Sequence, residues 1–194
     1  DKEPVIASVL CAAMGAAERQ AQQELSSRLS VLGFRNLLAP EHLGSAGSVA
    51  SAKAAWSAGA DAVRQYRGKV ARLERAYEDS VLGSQRAQRW PGEEMRAWAS
   101  HQSLAEPAEI SQLADLMFSQ VSEGLDILAA LSGEYSMKGQ SIAFKNAASA
   151  TRYTSIRNWV EQRTSSWEQI PESARPYSVS AILRALGEGF PAAQ

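Results

Sequence analysis

Side chains able to do chemistry are few in this chain. It holds two histidines, His42 and His101, and one cysteine, Cys11. Neither histidine follows a glutamate at the three-residue spacing of di-iron helical bundles. The His-Glu-x-x-His, Ser-x-x-Lys, Gly-x-Ser-x-Gly and phosphate-loop patterns are also missing. A single cysteine excludes an internal disulfide framework and any multi-cysteine zinc or iron–sulfur site. Cys11 falls one residue off an apolar stripe and reads as a buried thiol. His101 shares a helical face with Glu94 and Trp98, a group capable of proton transfer, but a half-buried surface histidine is the preferred reading. Neighbouring carboxylates such as Glu93-Glu94 and Glu78-Asp79 point in different directions on a helix and form no glycosidase pair. The expectation is a protein that is not an enzyme, with no catalytic residue, no metal and no cofactor.

Binding is the function left open, and its candidate residues gather in one stretch. Trp90, Glu93, Glu94, Trp98, Glu106 and Glu109 surround the breaks at Pro91 and Pro107. Such acids can steer a basic protein, and tryptophans concentrate at binding hot spots. The alternative is that the two tryptophans close one end of the molecule. Of five tryptophans, Trp56 and Trp167 fall on apolar stripes and belong to the core.

Total charge is −1, against any general attraction to nucleic acid. Its distribution is uneven: residues 53–89 carry +4, residues 93–134 carry −7 and residues 138–163 carry +4. An acidic helix packed between two basic ones accounts for that pattern. A phosphate-binding face at Arg64, Arg67, Arg72 and Arg75 is disfavoured by the intervening Asp61, Glu74, Glu78 and Asp79. The Gly-Ser-Ala-Gly-Ser run at 44–48 reads as a linker and helix cap, with Ser48 as the cap.

These residues are positioned by helices. Ile6, Leu10, Met14, Ala17, Ala21, Leu25, Leu29 and Leu32 mark one stripe of a helix over 4–32. Residues 33–47 form a loop tucked in by Phe34, Leu37, Leu38 and Leu43. A heptad repeat runs from 48 to 82, with Val49, Trp56, Val63, Val70 and Tyr77 on one seam. Ala52, Gly59, Tyr66, Leu73 and Ser80 make the second, its small members leaving room for bulky groups from another helix. Gly83-Ser84 bends or ends this helix. Further helices are expected over 93–104, 108–133 and 150–168, and a last one is capped by Ser178 and followed by a loose tail. Residues 133–149 are either a loop carrying Ile142 and Phe144 inward or an extended piece. No strand pattern of useful length appears. The fold class expected is all-α, an up-and-down bundle of three to four long helices with short helices at its ends, in one domain over 1–194.

The chain opens on Asp1, the expectation being a missing upstream segment, either simply absent or a cleaved export signal. Pro4 suits a first helical position and Asp1 or Glu3 the amino-terminal dipole. No apolar run approaches the ~20 residues of a membrane span. Asp1-Lys2-Glu3-Pro4 resembles the stretch after the lipidated cysteine of small all-helical bacterial envelope lipoproteins. Gly133-Glu134-Tyr135 through Gly139 and Phe144 is similar to their glycine-containing middle segment. The resemblance implies a periplasmic protein with a lipid anchor upstream of Asp1. Such lipoproteins include immunity proteins, which bind and occlude a secreted toxic effector. A structural envelope lipoprotein or secretion-apparatus component that self-associates is the other reading.

Overall fold

A computed structural model describes residues 6–88 and 106–194. Helices take 75% of these residues, so helix packing sets the architecture. They are α1 (Ile6–Val31), α2 (Pro40–Leu43), α3 (Ala46–Gln88), α4 (Ala108–Ala130), α5 (Ala147–Glu168) and α6 (Tyr177–Leu186). Strands β1 (Tyr135–Lys138), β2 (Ser141–Phe144) and β3 (Ala192–Ala193) and one 3-10 turn (Glu172–Ala174) complete the list. α1 packs along α3, α3 along α4, and α4 along α5, while α6 lies against α3. None of the described helices is long and apolar enough to cross a membrane. The helix expected at 93–104 and the first-turn roles of Asp1, Glu3 and Pro4 lie outside the described residues.

α3 spans 43 residues, roughly 65 Å. It runs through Gly83, where an end or bend was expected, because one helical glycine costs only about 1 kcal/mol. Its start also differs from expectation. Ser45, not Ser48, is the cap: the Ser48 amide donates to Ser45 Oγ and the Ser45 amide to Ser48 Oγ, each at 3.1 Å. This reciprocal pair satisfies two donors at the helix entrance. Val49, Trp56, Val63 and Val70 of the first seam are buried, as are Ala52, Gly59 and Tyr66 of the second. Burial lessens beyond Val70, where Leu73 and Tyr77 are half-buried and Ser80 is exposed.

The bulky group facing Gly59 comes from a connector and not from a helix. Phe34, just after α1, presses its ring so close that a Cβ on residue 59 would meet it at 2.1 Å. The same ring stacks on Trp56 at 5.3 Å and 17°, and Trp56 tilts against Phe118 of α4 at 5.3 Å. Trp56 Nε1 donates to the Phe118 carbonyl at 3.1 Å, so the buried indole has its partner. Phe34, Leu37, Leu38 and Leu43 are all buried, and α2 lies inside the segment expected as plain loop.

Residues 135–144 are a β-hairpin, and the expectation of a chain without sheet is corrected here. β1 pairs antiparallel with β2, Lys138 opposite Ser141, so the turn is Gly139-Gln140. Gly139 has φ +61° while Gln140 stays in the negative range, which suits a type II′ turn with glycine first. β3 adds to β2 in parallel, with Ser141 opposite Ala192. The segment after α6 is therefore docked, where a loose tail was expected. The Arg157 Nε and the Tyr153 hydroxyl donate to the Phe190 and Pro191 carbonyls, at 3.1 and 3.0 Å. The Gln194 amide donates to the Ile142 carbonyl at 2.9 Å.

Two helix ends complete the corrections. α4 stops at Ala130, three residues short of the expected 133. Pro176 occupies the cap position of α6, and Ser178 lies within the helix with its hydroxyl buried and unpartnered among the described residues. α5 is capped by Asn146, whose Oδ1 accepts from the Ala148 amide at 2.8 Å. Its Tyr153, Ile156, Val160 and Trp167 are buried along the expected stripe. Nearly all the buried apolar residues form one cluster that reaches from Ala21 to Phe190, with Met14 and Val81 outside it.

Candidate functional site

The acidic block meets its basic neighbours in the way its charge pattern predicts. Across α3 and α4, Lys53 pairs with Asp126, and Asp115 takes Arg67 Nη2 at 2.7 Å and Arg64 Nε at 3.3 Å. Across α4 and α5, Arg152 pairs with Glu123 at 2.9 Å. Most of these side chains are about half exposed, so each pair contributes at most about 1 kcal/mol and acts chiefly on register. Arg64 and Arg67 are thus engaged internally, further against a phosphate-binding face on α3.

Of the six sequence-designated contact residues, Trp90, Glu93, Glu94 and Trp98 lie outside the described residues. Glu109 is exposed in the first turn of α4. Glu106 behaves differently from a surface acid: its side chain is only 9% exposed. Pro107 holds the backbone of residue 106 out of the helical region. The carboxylate therefore turns back toward α3 instead of starting a helix turn. Glu106 Oε2 accepts from Ser111 Oγ at 3.4 Å and lies 4.0 Å from Arg67 Nη1. Glu106 Oε1 is buried with no hydrogen-bond partner among the described residues.

Burial pushes the Glu106 carboxyl above its ordinary value, outweighing the Arg67 charge and the Ser111 hydrogen bond that favour ionisation. Arg67 is a weak counter-ion here because its other contacts are the Ser111 carbonyl at 2.9 Å and Asp115. The protonated form is thus favoured by folding, and stability should fall as pH rises through the raised value. Glu106→Gln, neutral at every pH, lacks that slope. The melting temperature of Glu106→Gln relative to the parent is expected to climb as pH rises above about 4.5. Parallel melting curves from pH 4 to 7 would remove Glu106 as the cause.

Glu106 opens onto a cleft of about 580 Å³ between α1, α3, the start of α4 and the entry to α6. Glu18, Tyr66, Arg67, Arg175 and Tyr177 line it as well. The Tyr66 and Tyr177 rings meet at 5.7 Å and form one aromatic wall. Burial, with the Glu18 and Glu106 charges adding and a Gln22 hydrogen bond opposing, pushes the Tyr66 hydroxyl up to about 12, so it stays a neutral donor. Arg175 Nη2 donates to the carbonyls of Glu168 and Ile170 at 3.1 and 2.9 Å, and its Nε is buried without a partner among the described residues. Sequence reading missed Tyr66, Arg175 and Tyr177 as site residues. Their one signal is arginine beside or near tyrosine in both Tyr66-Arg67 and Arg175-Pro176-Tyr177.

A second cleft of about 520 Å³ lies between the α1–α2 connector and the turn after α6, lined by Glu41, Gln140, Arg157 and Glu188. Arg157 is already committed there to the Phe190 carbonyl and to Glu161 at 2.9 Å. Cys11 is half-buried, and burial raises its thiol, which keeps it in the un-ionised form. His42 is exposed on α2, and His101 lies outside the described residues. Among the described residues no three His, Cys, Asp or Glu side chains gather where a metal ion could sit. Comparison with known protein families, with characterised proteins and with solved structures finds no match.

Proposed function

We propose that this chain is a non-enzymatic binding protein of the periplasm that holds and neutralises a secreted toxic effector, as an immunity protein does. One observation carries the reading: Glu106 lines a cleft and keeps a buried carboxylate oxygen that nothing among the described residues satisfies. An unpartnered buried acceptor costs about 1–3 kcal/mol, which a donor from a partner would recover. Beside it, Glu109 is exposed and free to meet a basic surface. In this reading Trp90, Glu93, Glu94 and Trp98 extend the contact, and the helices form an up-and-down bundle that supports it. A lipid anchor upstream of Asp1 keeps the protein at the envelope, where an incoming effector arrives.

The test is a pull-down from native periplasm, followed by affinity measurement on the protein recovered in stoichiometric amount. Replacing Glu93, Glu94 and Glu106 with lysine is expected to weaken binding at least tenfold, on the order of 1.4 kcal/mol. Glu109→Lys, at an exposed position, should weaken it in the same direction without affecting folding. Unchanged affinity with an intact circular dichroism spectrum would move the contact to the 33–47 or the 133–149 segment, both of which reach the second cleft. Recovery of only the chain itself would favour a self-associating envelope component.

A further inference from the structure

Four buried side-chain polar atoms lack a partner among the described residues, and two belong to residues lining the Glu106 cleft. They are opposite in sense. Glu106 Oε1 is an acceptor on an acid, and Arg175 Nε is a donor on a base. Around them the charges balance: Glu18, Glu106 and Glu172 face Arg67, Arg175 and Arg184. A simple anion entering here meets three carboxylates, and a simple cation meets three guanidinium groups. A molecule carrying both charges meets a complement for each. The aromatic wall also accepts a guanidinium, since Arg184 already lies over the Tyr177 ring at 5.7 Å.

We propose that the cleft binds a dipolar ligand, a cationic side chain and a free carboxylate on one molecule, with the cation at Glu106 Oε1 and the carboxylate at Arg175 Nε. A lysine or arginine with its carboxylate free has this chemistry, whether as the free amino acid or as the last residue of a protein chain. Both atoms are buried, so entry requires the two side chains to turn into the cleft. The inference rests on the cleft being the contact site, and not on what an effector does.

Four probes separate the contributions by titration calorimetry on the full chain. N-acetyl-L-arginine carries both charges and mimics a chain end, whereas free L-arginine adds an α-ammonium. N-acetyl-L-argininamide carries the cation alone and N-acetylglycine the carboxylate alone. N-acetyl-L-arginine is expected to bind at least about tenfold more tightly than either single-charge probe. Glu106→Gln should remove the advantage over N-acetylglycine, and Arg175→Gln the advantage over N-acetyl-L-argininamide. Tighter binding of L-arginine than of N-acetyl-L-arginine assigns the site to a free amino acid, and the reverse to a chain terminus. Equal binding of the dual-charge and single-charge probes overturns the proposal, as does an advantage that survives both substitutions. Should a variant fail to fold, the comparison of probes on the parent protein decides alone. An effector captured through Glu109 without any dipolar preference overturns this inference and leaves the binding reading intact. Dipolar preference without a captured effector does the opposite.

Discussion

Val63→Asp is expected to cost about 4–5 kcal/mol. Val63 is fully buried on α3 in the seam that also carries Trp56 and Val70. The substitution removes about 1.5 kcal/mol of apolar burial and places a carboxylate in the apolar interior. A buried aspartate escapes part of this cost by taking up a proton, so the loss should be smaller near pH 4 than at pH 7. Native domains have a total stability of about 5–15 kcal/mol, so one such change is a large fraction of it. Val70→Asp, one heptad further along and 3% exposed, should act in the same direction. Urea unfolding followed by circular dichroism measures both. Midpoints within a few tenths molar of the parent would mean that the α3 seam does not form the centre of the core.

That this prediction can be made from periodicity reflects which physics the sequence writes locally. The seam of α3 repeats over many turns, so each apolar residue reinforces the same face and errors at single positions do not matter. The charge blocks are equally legible because they span whole helices, and Lys53–Asp126 and Arg152–Glu123 join the blocks as their signs require. The sheet is a different case. β1 and β2 are four residues each, with Tyr135, Met137, Ile142 and Phe144 turned inward, two from each strand and too little alternation to stand out. β3 is two residues long and pairs with a strand some fifty positions earlier, a parallel contact with no local signature.

The site was legible in part for the same reason. Glu106 and Glu109 stand out as acids beside a proline, which is a local fact. That Glu106 is enclosed by Arg67, and shares a cleft with Arg175 and Tyr177, depends on α3 and α6 meeting the start of α4. The proline pair at 171 and 176 reads in sequence only as a break, yet it delivers Arg175 and Tyr177 to the cleft. Caps are likewise decided by geometry: Ser45 and Ser48 are equally good by type, and the hydrogen bonds choose Ser45.

The docked carboxy-terminal segment yields the second large effect. Phe190→Ala is expected to cost about 3–5 kcal/mol, the range for emptying a buried phenylalanine site. The Phe190 ring is 4% exposed and meets Tyr153 edge-on at 5.6 Å. It also fills the space that a side chain on residue 124 would need, since a Cβ there would lie 2.5 Å from it. Gly124→Val should therefore displace the same ring from the other side and destabilise as well. The two substitutions share one contact, so their costs should not add in the double variant. Ending the chain at Gly187 removes Phe190 together with the carbonyls that Tyr153 and Arg157 use. Tyr153 is fully buried, so its hydroxyl would then lack a partner, and truncation should cost more than Phe190→Ala alone. Amide exchange adds a local reading: loss of β3 should leave β2 as an edge and speed exchange in the hairpin more than in α3. A truncated chain that melts within about two degrees of the parent would show that the tail adds nothing to the core. In that case the Phe190 site in the groove between α4 and α5 would have to close by other means.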